Sequence, residues 1–244
     1  TNMNKEKLLY ENSKHALQSD NIIAITNRHL CNRPFMEQLE RVCKLHPHAI
    51  VLREKDMPEA EYLSLARDVI ALCKKYDVQC MLHSFINVAI ELEHPYIHLP
   101  LPILEAYVKK NVSGNISTGM SKSTDNYQQF FKVIGTSVHS VEDAIKAEQL
   151  GATYMTAGHI FATDCKKGLP PRGLDFLKNV CDAVGIPVYA IGGINIASSD
   201  DSTASDSPSA YDAMPDISVP RLAEVMELSL IHISEPTRLL SISY

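Results

Sequence analysis

Short, apolar, β-branched runs recur every few tens of residues along this chain, and stretches of helical periodicity lie between them. Residues 22–26, 49–52, 79–82, 96–99, 133–134, 152–156 and 187–191 have the apolar character of parallel strands covered on both faces. Residues 35–45 place Met36, Leu39, Val42 and Cys43 on one helical face, and residues 59–76 do the same with Leu65, Ala66, Val69, Leu72 and Cys73. Residues 174–184 carry Leu174, Leu177, Cys181 and Val184 on one stripe. The helix after Ser140 is the best marked: Ser140 caps it, Asp143 stands at the reciprocal capping position, and Gly151 closes it after Leu150. Repeated strand–helix units imply right-handed crossovers and a parallel sheet. Periodicity alone does not separate a doubly wound sheet from a closed barrel.

A length of 244 residues allows one large domain or two small ones, and 45% hydrophobic with 21% charged residues is an ordinary globular composition. The net charge of −6 argues against nucleic acid or an anionic membrane surface as the main partner. No apolar run approaches the ~18–20 residues that span a bilayer. The opening TNMNKEKLLYENSK lacks the apolar centre of a signal peptide. Six cysteines, at positions 31, 43, 73, 80, 165 and 181, form no CxxC pair and fit small core residues of a reducing compartment. The expected location is cytoplasmic, with no nucleic-acid or membrane partner; homo-oligomerisation is left open.

The densest chemistry lies in residues 157–168, AGHIFATDCKKG, directly after the apolar run 152–156. One loop there supplies an imidazole at His159, a hydroxyl at Thr163 and ammonium groups at Lys166 and Lys167. A strand-end histidine can exchange protons near neutrality and lysines can hold an anion. Taken alone, such a histidine also serves as a hydrogen-bonded structural residue, and a lysine pair as a solvated loop. Cys165 is a weaker candidate nucleophile, since no partner base is visible. In residues 51–55, VLREK, Arg53 and Lys55 alternate so as to share one side of a strand; a ladder with Glu54 or Asp56 is the competing reading. Gly192-Gly193 after PVYAI permits close approach of backbone N–H groups to a phosphate, or makes a turn. His139 reads equally as site-lining or structural. His83 and His98 could join His159 in a metal cluster, but spacing cannot place residues of separate strands.

The word GHIFATDCKKG with PRG just after it, together with LREK at the second strand end, resembles the thiazole tautomerase (TenI) branch of the thiamin phosphate synthase superfamily over about residues 22–194. The resemblance implies a (β/α)8 TIM-type barrel, with its site at the C-terminal strand ends. It implies His159 as the catalytic acid/base, which is the branch's histidine in this word. Arg53, Lys55, His83, Thr163 and Lys166 are implied as substrate-binding groups, and Gly192 and Gly193 as a phosphate cradle. Synthases carry Asn-Asp after strand three and an Asp shortly after the His-Leu of strand four, and these carboxylates hold Mg²⁺. Here His83-Ser84 and Pro100-Leu101-Pro102-Ile103 stand at those places. The expectation is therefore an isomerase without metal or cofactor that aromatises a small phosphorylated thiazole carboxylate by a histidine-mediated proton shift. The alternatives are thiamin phosphate synthase, the one reading that calls for Mg²⁺, and a non-catalytic ligand-binding regulatory relative.

A single barrel domain is expected over residues 21–227, after an N-terminal extension at 1–20 and interrupted by a flexible Ser- and Asp-rich insertion at 197–216. A helix is expected from near Val219-Pro220, with proline in the tolerant first turn. Seven strands can be counted. In place of the family's Gly-Ala-rich eighth strand the chain reads LSLIHISEPTRLLSISY. Residues 228–238 resemble translated sequencing-adapter text, and Thr1 in place of Met suits a fragment. Residues 228–244 are accordingly expected to be a non-native tail, and the barrel to be truncated before its eighth βα unit.

Overall fold

The computed structural model describes residues 22–114, 130–162, 166, 168–193 and 229–234. Seven strands follow one another around a sheet, each parallel to the next: β1 (Ile22–Ile25), β2 (Ala49–Leu52), β3 (Gln79–His83), β4 (Tyr96–Pro100), β5 (Val133–Val138), β6 (Tyr154–Gly158) and β7 (Val188–Ile191). The helices are α1 (Phe35–Cys43), α2 (Glu59–Lys75), α3 (Ile86–Glu91), α4 (Leu101–Gly114), α5 (Val141–Gln149) and α6 (Gly173–Ala183). The strand places agree with the apolar runs, with shifted ends at β5 and β6.

The eighth place is taken by a segment of the expected tail, and the parallel part of the sheet holds the seven strands counted in the sequence. Ser229–Ser234 forms β8 and closes the barrel between β1 and β7. It runs antiparallel to both neighbours, so the closed sheet is not a strict (β/α)8 repeat. The physical reason is the pair of edges. Without an eighth strand, β1 and β7 would each present a row of unpaired N–H and C=O groups, and a short apolar segment such as SLIHIS can pair with both. Ser229 pairs with Ile25 at the top of β1, and Ser234 with Val188 at the bottom of β7. β8 therefore ends at the barrel base.

Side-chain parity divides the core in two. Ile23, Ile25, Ala49, Val51, Met81, Tyr154 and Tyr189 pack together inside the barrel. The alternate positions Ala24, Ile50, Leu52, Cys80, Leu82, Ile97 and Leu99 belong to a second cluster, with Leu39, Val42, Tyr62, Ala66 and Val69 of the helices. A strand covered by helices on one face and barrel interior on the other has no polar face, which is why the runs read as continuously apolar. The Ser140 cap holds: its Oγ accepts from the Asp143 N–H at 3.0 Å. The Asp143 carboxylate accepts from His139 N rather than from the cap residue itself, at 3.4 Å. Gly151 ends the helix at φ +89, a conformation that suits a residue without Cβ. Two helices escape sequence periodicity. α3 is a single short turn-and-a-half with no side-chain cap, and α4 begins beside Pro100 and Pro102, which read as breakers although Pro102 lies in the tolerant first turn. The expected extension, insertion and 219–226 helix lie outside the described residues.

Tyr62 of α2 ties two strand ends together. Its hydroxyl donates to Leu52 O at 2.6 Å and accepts from His83 N at 2.9 Å, and the residue is fully buried. Tyr62→Phe leaves both backbone groups without that partner. We expect a loss of about 2–4 kcal/mol, read as a lower urea midpoint at unchanged slope.

Candidate active site at the barrel mouth

Continuing the inward parity of each strand to its C-terminal end replaces apolar side chains by polar ones: Arg53 and Lys55 beyond β2, His83 on β3, His98 on β4, Ser137 on β5 and Thr156 on β6. This polar layer sits above the apolar base. A cavity of about 360 Å³ lies at the opposite, N-terminal end, lined by Ile23, Ala49, Gln79, Met81, Tyr154 and Tyr189 among others. It is remote from the candidate chemistry.

The link between β1 and β2 sets the charge of the mouth. Thr26 Oγ1 donates to Glu54 at 2.6 Å and accepts from Arg53 N at 2.9 Å. Glu54 is 2% exposed and also accepts from the Arg28 backbone N–H and guanidinium. Arg28 makes a fork to Asp56, and His29 adds a contact to the same carboxylate at 2.9 Å. These hydrogen bonds hold the Asp56 carboxyl well below the usual carboxylate range and push the Arg28 guanidinium up. The expected competing ladder thus exists, but Arg28 occupies it instead of Arg53 or Lys55. Among the described residues no carboxylate pairs with Arg53 or Lys55. The Lys55 ammonium is lowered by burial first, then by the charges of Arg53 and Lys166. Three sequence-predicted cations from two loops are therefore near enough to repel one another, an arrangement that favours an anion.

The floor carries no charge. His83 and His98 stack with ring centres 5.6 Å apart. Burial, followed by neighbouring positive charge, pushes His83 down to about 2 and His98 down to about 3. His83 Nδ1 is hydrogen-bonded to Ser84 Oγ at 2.8 Å. His98 is hydrogen-bonded through Nδ1 to the Tyr154 hydroxyl at 2.8 Å and through Nε2 to Ser137 Oγ at 2.9 Å, and Thr156 Oγ1 donates to the same Ser137 oxygen. Tyr154, Ser137 and Thr156 were not among the sequence-predicted site residues. Their signal was parity: every second residue of β5 and β6, counted up from the apolar base.

His159 follows β6 and is 9% exposed, and its buried Nε2 has no hydrogen-bond partner among the described residues. The surrounding backbone is stitched on both sides: Ile160 N donates to Ile191 O, Phe161 N to Gly192 O, and Arg172 N to His159 O. Gly192 has φ +97, and a Cβ there would stand 2.5 Å from the Cβ of His159; a Cβ on Gly193 would meet Ala162 O at 2.3 Å. Close passage of the His159 segment thus already demands both glycines. Lys166 is exposed on a single turn of the same loop, whereas Thr163, Cys165 and Lys167 lie outside the described residues.

The two stacked imidazoles link folding to pH. Unfolded histidines protonate near pH 6.5, whereas these two stay neutral in the folded chain down to their depressed values. Across that window the unfolded chain binds more protons, so stability falls as pH falls. We expect urea stability to decline from pH 7 towards pH 4 by up to about 1.4 kcal/mol per pH unit for each such histidine. His83→Asn, which keeps a neutral group at the Nδ1 position, flattens the decline.

A family model described as thiamine monophosphate synthase matches residues 22–206. A protein of Aquifex aeolicus (strain VF5), provisionally named thiamine-phosphate synthase 2, is 35% identical over 173 residues, covering 71% of this chain and 84% of that one. A thiamine-phosphate synthase of Clostridium novyi (strain NT) is 31% identical over 70% of this chain and 78% of its own. Among solved structures, a thiamine phosphate pyrophosphorylase from Pyrococcus furiosus superposes with a TM-score of 0.55 at 28% identity, over 73% of this chain and 78% of that one. These names fit the synthase alternative better than the tautomerase expectation. On the family match and these relatives, the chain belongs to the thiamine monophosphate synthase family and is an enzyme of thiamin biosynthesis.

Proposed function

We propose that this enzyme isomerises a phosphorylated thiazole carboxylate by a proton shift at His159. The observation that carries the reading is an imidazole at the end of β6 whose buried Nε2 has no partner among the described residues. An isomerisation of this kind takes a proton from ring carbon and returns one elsewhere, and a single imidazole can serve both halves. Arg53, Lys55 and Lys166 would neutralise the substrate's anionic groups, Thr163 is assigned to substrate binding, and the Gly192-Gly193 turn would hold its phosphate. The stacked His83–His98 pair of the floor adds no charge to the site.

Transfer of a pyrimidine group with release of pyrophosphate is the second reading, and the names of the relatives favour it. Mg²⁺ would supply charge neutralisation of a pyrophosphate there, and it needs oxygen ligands, usually carboxylates. The residues present do not fit that ion. Ser84 follows β3, Pro100 ends β4, and Glu54 is already engaged by Thr26 and Arg28. Among the described residues no three His, Cys, Asp or Glu side chains converge as a metal site.

Turnover separates the readings. Given the non-aromatic thiazole phosphate carboxylate, we expect isomerisation to the aromatic form, with His159→Ala lowering kcat by ~10²–10⁴ at an unchanged melting temperature. Given thiazole phosphate, aminopyrimidine pyrophosphate and Mg²⁺, we expect no thiamin phosphate; product that EDTA abolishes establishes the synthase reading instead. Lys55→Ala is expected to weaken binding of inorganic phosphate about tenfold by calorimetric titration. In the unaltered protein that affinity should fall as pH rises, beginning below the usual lysine range, because Lys55 loses its proton early.

A further inference from the structure

The side chain of His139, one residue past β5, reaches the segment that carries His159. Its Nδ1 lies 2.8 Å from the carbonyl oxygen of Gly158, the residue immediately before His159. A carbonyl only accepts, so Nδ1 bears the proton and the imidazole donates. We propose that His139 is a positioning residue for His159, holding the peptide that precedes it so that the His159 ring meets substrate in one orientation. This rests on the reading of His159 as the proton-shifting group.

Three observations support the assignment. First, His139 is itself anchored from below: its N–H donates to the Asp143 carboxylate, and Asp143 N donates to the Ser140 cap of α5. The donor is thus fixed to a helix start rather than to a free loop. Second, the two carbonyls flanking His159 are both taken, Gly158 O by the His139 imidazole and His159 O by Arg172 N at 3.0 Å. Those bonds restrain rotation of the backbone on either side of the catalytic candidate. Third, the segment has no slack on its inner side, because a Cβ at Gly158 would stand 2.4 Å from the Ile191 side chain and one at Gly192 2.5 Å from His159 Cβ. Small displacements of a group that must meet a reacting atom are costly: a misplacement of about 1 Å can lower a rate on the order of 10²-fold.

Substitution can separate positioning from bulk. His139→Ala removes the donor, whereas His139→Asn puts an amide N–H where Nδ1 stood. We expect His139→Ala to lower kcat for the proton shift about 10- to 100-fold with KM within about twofold. His139→Asn should recover most of kcat, and both variants should melt close to the unaltered protein. In ¹⁵N-histidine-labelled protein, the His159 ring resonances should move or divide in His139→Ala and return in His139→Asn. A folded His139→Ala with unchanged kcat and unchanged His159 resonances overturns the proposal, as does an Asn variant as impaired as the Ala one with His159 undisturbed. If the unaltered protein shows no proton-shift turnover, the functional reading fails. The His159 resonances then still decide whether His139 positions that ring.

Discussion

A strand in a closed barrel meets two different interiors, and parity alone decides which one each residue sees. Outward positions such as Ile50, Leu82 and Leu99 pack under helices, whereas inward positions begin apolar at Ile23 and Ala49 and turn polar at Arg53, His83, His98, Ser137 and Thr156. The site therefore costs the fold no separate element. It is the upper continuation of the same alternation that builds the core, and a one-residue slip of any strand would exchange its apolar and polar sets.

The electrostatics of the mouth follow from one buried carboxylate. Glu54 is out of step with Arg53 and Lys55, and it is satisfied by Thr26 and Arg28. Had it paired with one of the neighbouring cations, the positive charge of the mouth would be smaller. Instead two cations of the β2 end, with Lys166 from the His159 loop, face one another without a described counter-charge, above two imidazoles kept neutral by burial. Charge thus stands at the rim and polar but uncharged groups at the floor.

Relatives and residues speak to different levels of the function. Similarity across residues 22–206 establishes the family and thiamin biosynthesis, and the names it brings are those of synthases. The choice between proton shift and group transfer rests on a few positions: His159 speaks for the first, and Ser84 and Pro100, standing where metal carboxylates would be needed, speak against the second. Those positions contribute little to overall identity, so similarity over the whole chain and local chemistry can point to different branches of one family.

Seven strands, the Ser140 cap and the Gly151 helix end were legible in the sequence, because each depends on a periodicity or a turn conformation within a few residues. The LREK and GHIFATDCKKG words singled out Arg53, Lys55, Lys166 and His159 as candidates, and their places after β2 and β6 follow from the strand positions. The antiparallel β8 was not legible, since pairing with Ile22–Ile25 and Val188–Ile191 is decided by edges far away in the chain. Nor were the His98–Ser137–Thr156–Tyr154 network and the His139 bond to Gly158, which join residues 19 to 56 positions apart. Gly192 shows the division most clearly. The sequence determined that a glycine stands after β7, but only the tertiary structure decided why, because the excluded Cβ would collide with a histidine that belongs to a different strand end.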